Sequence, residues 1–132
     1  MKFYNPKDKE FNEVLKLIKP KNFLKKMVSL KMIEEETKDY GSDVYNLCNN
    51  AVAWILSQLR NTYYIYEVNI AQGDFEGRDH SWIIVGDYYL DLTLAQFIKS
   101  PKLAITKRKE VRGYNVYTIK NPIEYAESLL VN

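Results

Sequence analysis

The chain has 132 residues but a single cysteine, Cys48, and a single histidine, His80. One cysteine cannot form an intramolecular disulfide, and one thiolate with one imidazole cannot complete a zinc site built from such ligands. We therefore expect no metal and no other cofactor. The chemistry left for the pair is nucleophilic: a thiolate attacks a carbonyl carbon and an imidazole transfers the proton. Such a pair works with a third group that orients the imidazole, and Asp91 is the candidate.

The spacing of His80 and Asp91 supports this pairing. Apolar runs on either side of Gly86-Asp87 predict a β-hairpin with a two-residue turn. In that register Trp82 lies opposite Asp91, and His80 lies on the same face as both. Asp91 is then the diagonal neighbour of His80, about 7 Å away between Cβ atoms, so its carboxylate can reach one ring nitrogen.

Cys48 is expected near the start of a helix. The apolar spacing of Leu47, Ala51 and Ile55 predicts a helix that begins between Ser42 and Asn46. The N-terminus of a helix favours a thiolate, and its unpaired N–H groups can hold an oxyanion.

The other elements predict an α+β fold, in which N-terminal helices pack on a small antiparallel sheet. The remaining helices are expected between Asp8 and Pro20, over 21–36 and over 122–130, with a break at 40–42 and a short turn at 94–98. Strands are expected over 63–70, 80–85, 88–92, 103–106 and 115–119, with a polar loop at 72–79.

A family resemblance covers residues 46–97. It is carried by NLCNNA at 46–51, HSWIIV at 80–85, YLDLT at 89–93 and QF at 96–97. This order resembles the papain-like cysteine fold of the Tox-PL and protein-glutamine deamidase kind. It is also similar to the core of transglutaminase-like proteins, in which a cysteine at a helix start precedes a hairpin bearing His and Asp.

The resemblance implies a single papain-like domain over 1–132, with a helical part about 8–61, a sheet part about 62–120 and a closing helix about 122–130. It also implies Cys48 as nucleophile, His80 as general base and acid, and Asp91 as the group that orients His80. The Gly/Ser/Trp motif beside the papain cysteine is absent, so papain-type peptidase activity is not implied. No clear upstream glutamine for an oxyanion hole stands out.

Three further residues are weaker candidates for the site. Asn46 or Gln72 could donate to the oxyanion. Trp82 could cover the thiolate or belong to the core, and the core is favoured.

The predicted activity is acyl transfer from an amide of a protein or peptide substrate. Loss of ammonia from a glutamine side chain would make a deamidase, capture by an amine a transglutaminase, and attack on a backbone amide a peptidase. The same residues serve all three, and the resemblance favours the deamidase.

Composition limits the class of protein. Hydrophobic residues make up 46% and charged residues 27%, with a net charge of +2, which is typical of one globular domain. The sequence shows no membrane-spanning run and no signal peptide, so we expect a cytoplasmic protein, or an effector delivered without a recognisable signal. It indicates no oligomeric state.

The alternative class is a non-catalytic interaction module. Residues 101–113 hold five basic residues against one acidic residue, and Lys107, Arg108, Lys109 and Arg112 could form a binding surface. The favoured interpretation is a solvated turn between two strands. Binding of nucleic acid is not expected, because the overall charge is close to balance.

Overall fold

The computed structural model describes residues 1–61 and 67–130, and its helices and antiparallel sheet confirm the α+β class. A single 3₁₀ turn covers Leu94–Gln96. In chain order the other elements are α1 (Lys9–Lys16), α2 (Pro20–Ser29), α3 (Tyr40–Asp43), α4 (Cys48–Leu59), β1 (Val68–Phe75), β2 (Arg78–Val85), β3 (Tyr88–Asp91), β4 (Ala104–Lys107), β5 (Tyr114–Lys120) and α5 (Pro122–Leu129).

The described strands form one sheet in the order β4-β3-β2-β1-β5, with every neighbouring pair antiparallel. Val85 pairs with Tyr88 and Ile84 with Tyr89, so the predicted two-residue turn at Gly86-Asp87 is confirmed. The sheet register therefore places His80 and Asp91 as the sequence predicts.

The hairpin between β1 and β2 differs from the prediction. The polar loop expected at 72–79 is wrong, because both strands continue and only Glu76 and Gly77 form the turn. Both turn residues have positive φ, 49° and 84°, as a tight hairpin turn of the primed type requires. The carboxylate of Asp74 accepts the N–H of Gly77 at 2.9 Å and holds this turn. Of the predicted strand 63–70, residues 63–66 lie outside the described residues.

Gly73 belongs to a close contact between β1 and β5 rather than to a loop. A Cβ atom at Gly73 would lie 1.8 Å from the carbonyl oxygen of Asn115, so no larger residue fits. The pairing of the two strands shifts between Gln72 and Gly73. Such an irregularity re-aims side chains locally, and here it lies beside the candidate site.

The first two helices show how local signals set their ends. Asp8 caps α1, its carboxylate accepting the Phe11 N–H at 3.0 Å, as predicted. The expected helix over 21–36 is wrong at its end, because α2 stops at Ser29. Lys31 takes a φ of 60° and the Met32 N–H bonds back to Met27, which closes the helix. Three glutamates at 34–36 would also have opposed the negative end of a longer helix dipole.

Two corrections concern the approach to Cys48. The expected break at 40–42 is the one-turn helix α3, which the side chain of Asp39 caps. The next helix, α4, begins at Cys48, later than the predicted interval, because Asn46 has a φ of 60° and its N–H donates to the Gln96 side chain. The later start makes Cys48 the first helical residue.

The sheet has an apolar core on one face and an aromatic cluster on the other. The helices pack on Ile70, Ile83 and Leu90. Trp82 and Tyr89 lie on the opposite face with Tyr114. None of the described helices combines the length and the apolar character that a membrane crossing requires.

Candidate active site

The site is built on a buried pair of side chains, His80 in β2 and Asp91 at the end of β3. His80 Nε2 lies 2.7 Å from Asp91 Oδ2, and the two side chains are 0% and 1% exposed. The contact follows from the hairpin register, since diagonal neighbours on one face are within reach of each other.

Asp91 accepts four hydrogen bonds. Oδ2 receives His80 Nε2 and the Tyr114 hydroxyl, the latter at 2.9 Å. Oδ1 receives the N–H and the hydroxyl of Thr93 at 2.9 and 3.3 Å. All four partners are groups that can donate to a carboxylate oxygen, and His80 does so when its proton is on Nε2.

Aromatic rings fix the plane of the imidazole. The ring of Trp82 stacks on the imidazole of His80, with 5.6 Å between the ring centroids. The ring of Phe97 lies edge-on to the same imidazole, with 5.0 Å between the centroids. The ring centroid of Tyr114 lies 6.3 Å from that of His80, and the planes of the two rings are inclined by 22°. The imidazole therefore has little freedom to turn away from Asp91.

The surroundings of His80 raise the pKa of its imidazole. Burial by itself lowers the pKa of His80, but the charge of Asp91, its hydrogen bond and the neighbouring Cys48 thiol outweigh burial and raise the pKa to about 9. A positively charged imidazolium next to a cysteine stabilises the thiolate form of that cysteine.

Cys48, the first residue of α4, lines the same cavity as His80. The thiol is partly exposed, and its interaction with the ring is one of the causes that raise the pKa of His80. Since Asp91 occupies Nε2, the nitrogen available to the thiol is Nδ1, which has no aligned hydrogen-bond partner. Catalytic hydrogen bonds are often long or poorly aligned until substrate binds.

The N-terminus of α4 is open. Leu47 occupies the cap position and offers no side-chain hydrogen bond, so the first-turn N–H groups beside Cys48 receive no cap from it. Burial raises the pKa of Tyr125 in α5, and the charge of Cys48 raises it further.

A cavity of about 280 Å³ opens above these groups. Its lining includes Cys48, Asn49, Gln72, His80, Tyr117 and Thr118. Of the weaker candidates, only Gln72 lines the cavity. Asn46 is exposed in the loop before Cys48, and Trp82 is 1% exposed in the aromatic cluster.

Sequence reasoning missed the contributions of β5. Tyr114 donates to Asp91, while Tyr117 and Thr118 form one wall of the cavity. No local pattern marks these residues, because they reach the site only through the pairing of β5 with β1.

No protein-family model, curated protein or solved structure matches this chain. Within residues 1–61 and 67–130, no group of three or more His, Cys, Asp or Glu side chains is placed to hold a metal ion.

The raised pKa of His80 predicts a pH dependence of stability. His80 binds its proton more tightly in the folded chain, with a pKa of about 9 against an ordinary 6.5. Its contribution to the free energy of unfolding is therefore fully present below about pH 6.5 and is lost as the pH rises through about 9. We expect a loss of up to about 3 kcal/mol between about pH 6 and pH 9.5, measured by urea unfolding.

The comparison variant for this prediction is His80→Gln, which cannot titrate. Its unfolding free energy should fall much less over the same interval. Parallel curves for the two proteins would show that the proton on His80 contributes nothing to folding.

Proposed function

We propose that the chain is a thiol-dependent amide hydrolase or acyltransferase, and that it removes ammonia from glutamine side chains of a protein substrate. The observation that supports this is that Cys48 and His80 line one open cavity, while His80 is hydrogen-bonded to the buried Asp91. The resemblance to papain-like and transglutaminase-like cores, with cysteine at a helix start and His and Asp on a hairpin, points the same way.

In the first step the Cys48 thiolate attacks the carboxamide carbon. A C–S bond forms and the carbonyl π electrons move to oxygen. The backbone N–H of Cys48 and its neighbours in the first turn of α4 are the donors for this oxyanion, and the Gln72 amide on the cavity wall can add another.

In the second step the C–N bond breaks and the oxyanion electrons restore the carbonyl. His80 gives the proton on Nδ1 to the leaving nitrogen, so that ammonia departs and a thioester remains on Cys48. Neutral His80 then accepts a proton from water as the hydroxyl group attacks the thioester. Breakage of the C–S bond returns the thiolate and releases glutamate.

The cavity favours a side chain as the group attacked. Its volume of about 280 Å³ is close to the lower end of the usual range for small-molecule sites, about 300–1,000 Å³. Amide and hydroxyl groups of Asn49, Gln72 and Thr118 can hydrogen-bond a carboxamide there. A peptidase would use the same three residues, and its product would be a new amino terminus instead of ammonia.

The test is the rate of Cys48 alkylation by iodoacetamide between about pH 5 and pH 9, since an ordinary thiol reacts only as it ionises, near pH 8.5. We expect fast alkylation at about pH 6 in the native chain, and a rate at least about tenfold lower in His80→Ala, because the imidazolium that stabilises the thiolate is gone. Ammonia release from glutamine-containing proteins is then measured.

Ser81→Ala is the matched control, because Ser81 lines the same cavity beside His80 but carries no charge. It should alkylate at the native rate. An unreactive thiol in the native chain, or a pH profile that His80→Ala leaves unchanged, would refute the proposed thiolate–imidazolium pair.

A further inference from the structure

A second cavity, of about 560 Å³, lies between the N-terminal segment and the turn that connects β4 to β5. We call it the basic pocket. Its charged lining comprises four cations against two carboxylates: Lys2, Lys99, Lys107 and Arg112, with Glu76 and Glu110. It contains Lys107 and Arg112 of the basic stretch that the sequence singled out, and the proposed catalysis does not use them.

The described cations of the basic pocket form no ion pair with a carboxylate within 4.0 Å. Among residues 1–61 and 67–130, the ion pairs within 4.0 Å are Lys16–Glu13 and His80–Asp91, and neither belongs to the pocket. Lys2 and Lys107 instead lie over the ring of Tyr4, at 4.8 and 4.7 Å from its centroid. The Glu110 carboxylate accepts the Tyr4 hydroxyl at the same ring. With four cations against two carboxylates, the lining keeps a positive charge that attracts an anion.

The floor of the pocket is apolar. Phe3, Ile98 and Val111 are half-buried there and contribute apolar surface beneath the charged rim. A patch that combines an apolar floor with a charged rim suits a ligand that has both characters.

We propose that the basic pocket binds an acidic segment of a partner protein, one that presents carboxylates to the cations and an apolar side chain to the floor. A nucleic-acid backbone fits less well, since its regular phosphates would also meet Glu76 and Glu110. A peptide can place a carboxylate and an uncharged residue at neighbouring positions.

The basic pocket is close to the cavity that contains Cys48. Gly73 lines the catalytic cavity and Glu76 lines the basic pocket, on the same strand and its turn. At a strand rise of about 3.3 Å per residue, the two positions are about 10 Å apart. The basic pocket and the cavity that contains Cys48 are thus neighbours along β1. We infer that the bound protein is also the substrate, and this last step alone rests on the proposed function.

The experiment measures binding of a fluorescein-labelled peptide of alternating Glu and Phe by anisotropy, on the Cys48→Ala chain so that no turnover interferes. We expect binding that weakens at least about tenfold in Lys107→Glu/Arg112→Glu. It should also weaken as salt rises from about 50 to about 200 mM. Lys21→Glu/Lys25→Glu on α2 makes the same change of net charge on exposed residues outside the pocket and should bind as before.

Three results would overturn the proposal: no binding, equal weakening in the two double variants, or tighter binding of a duplex DNA of similar charge. A thermal unfolding curve for each variant verifies that it is folded. Iodoacetamide alkylation of Cys48, in chains that retain the thiol, is expected to stay unchanged in both double variants. Loss of peptide binding and loss of thiol reactivity are therefore separate outcomes.

Discussion

Replacement of Cys48 with alanine is expected to lower ammonia release from a glutamine substrate by at least about 10⁴-fold, because no other described group can form the thioester. The free energy of unfolding should change by less than about 1 kcal/mol. Cys48 is partly exposed at the first position of α4, so loss of its sulfur opens no cavity in the core.

The measurement combines ammonia release with urea unfolding of the same samples. In the native chain, rapid acid quenching followed by intact-mass analysis should trap an acyl adduct on Cys48, and hydroxylamine should remove it. Neither Cys48→Ala nor Cys48→Ser should carry that adduct, since a serine hydroxyl is a far weaker nucleophile than a thiolate in this setting.

Asn49→Ala is the matched control. Asn49 is the next residue of the same helical turn and lines the same cavity, but it offers no nucleophile. Its replacement should cost about tenfold or less. Turnover in Cys48→Ala within about tenfold of the native rate, or a stability loss of several kcal/mol, would show instead that Cys48 is a packing residue.

The His80–Asp91 pair can be predicted from the sequence because it depends only on the length of one turn and on the alternation of side chains along a strand. A two-residue turn at Gly86-Asp87 sets the hairpin register, and alternation then places His80 and Asp91 on one face. The hydrogen bond between their side chains is a direct consequence of those two rules. The cap at Asp8 and the helix containing Cys48 follow from equally local patterns.

The rest depends on contacts between distant segments. The exact start of α4 is set by the left-handed Asn46 and by a hydrogen bond from its N–H to Gln96, which lies 50 residues further along the chain. Tyr114 reaches Asp91 only because β5 pairs with β1. The residue spacing cannot specify either contact, since many alternative packings leave the same local pattern intact.

The polar segment at 72–79 misled the sequence analysis for a physical reason. A positive φ at a non-glycine residue, here Glu76, is uncommon, so nothing in the residue types marks a tight turn at that point. A run of polar residues is also typical of a loop, and the sequence does not show the partners that satisfy such side chains in a strand. Asp74 is satisfied by Asn115 and Tyr117 of β5, and these hydrogen bonds lower the pKa of its carboxyl.

Asp91→Asn is expected to reduce turnover by about 10³- to 10⁴-fold with little change in the shape of the site. Asp91 accepts from donors on both oxygens, whereas an asparagine must present its NH₂ group on one side. If that group faces His80, the neutral ring must accept on Nε2 and carry its proton on Nδ1. The lone pair that serves as general base towards Cys48 and water is then lost.

The same variant should be less stable by about 3–5 kcal/mol, the usual cost of removing one partner from a buried ion pair. Burial lowers the pKa of His80, and without the charge of Asp91 that effect is no longer outweighed. His80 should then be largely neutral at pH 7, and the pH dependence of stability seen in the native chain between about pH 6.5 and pH 9 should disappear.

Tyr114→Phe is the control that separates charge from hydrogen bonding, because it removes one donor from the same oxygen and leaves the His80–Asp91 pair in place. Turnover should fall by about tenfold or less, and the free energy of unfolding should still decrease as the pH rises, as in the native chain. The decisive measurement is the chemical shift of the His80 ring against pH. A titration midpoint still near 9 in Asp91→Asn would contradict the assignment of Asp91 as the charge that holds His80 as imidazolium.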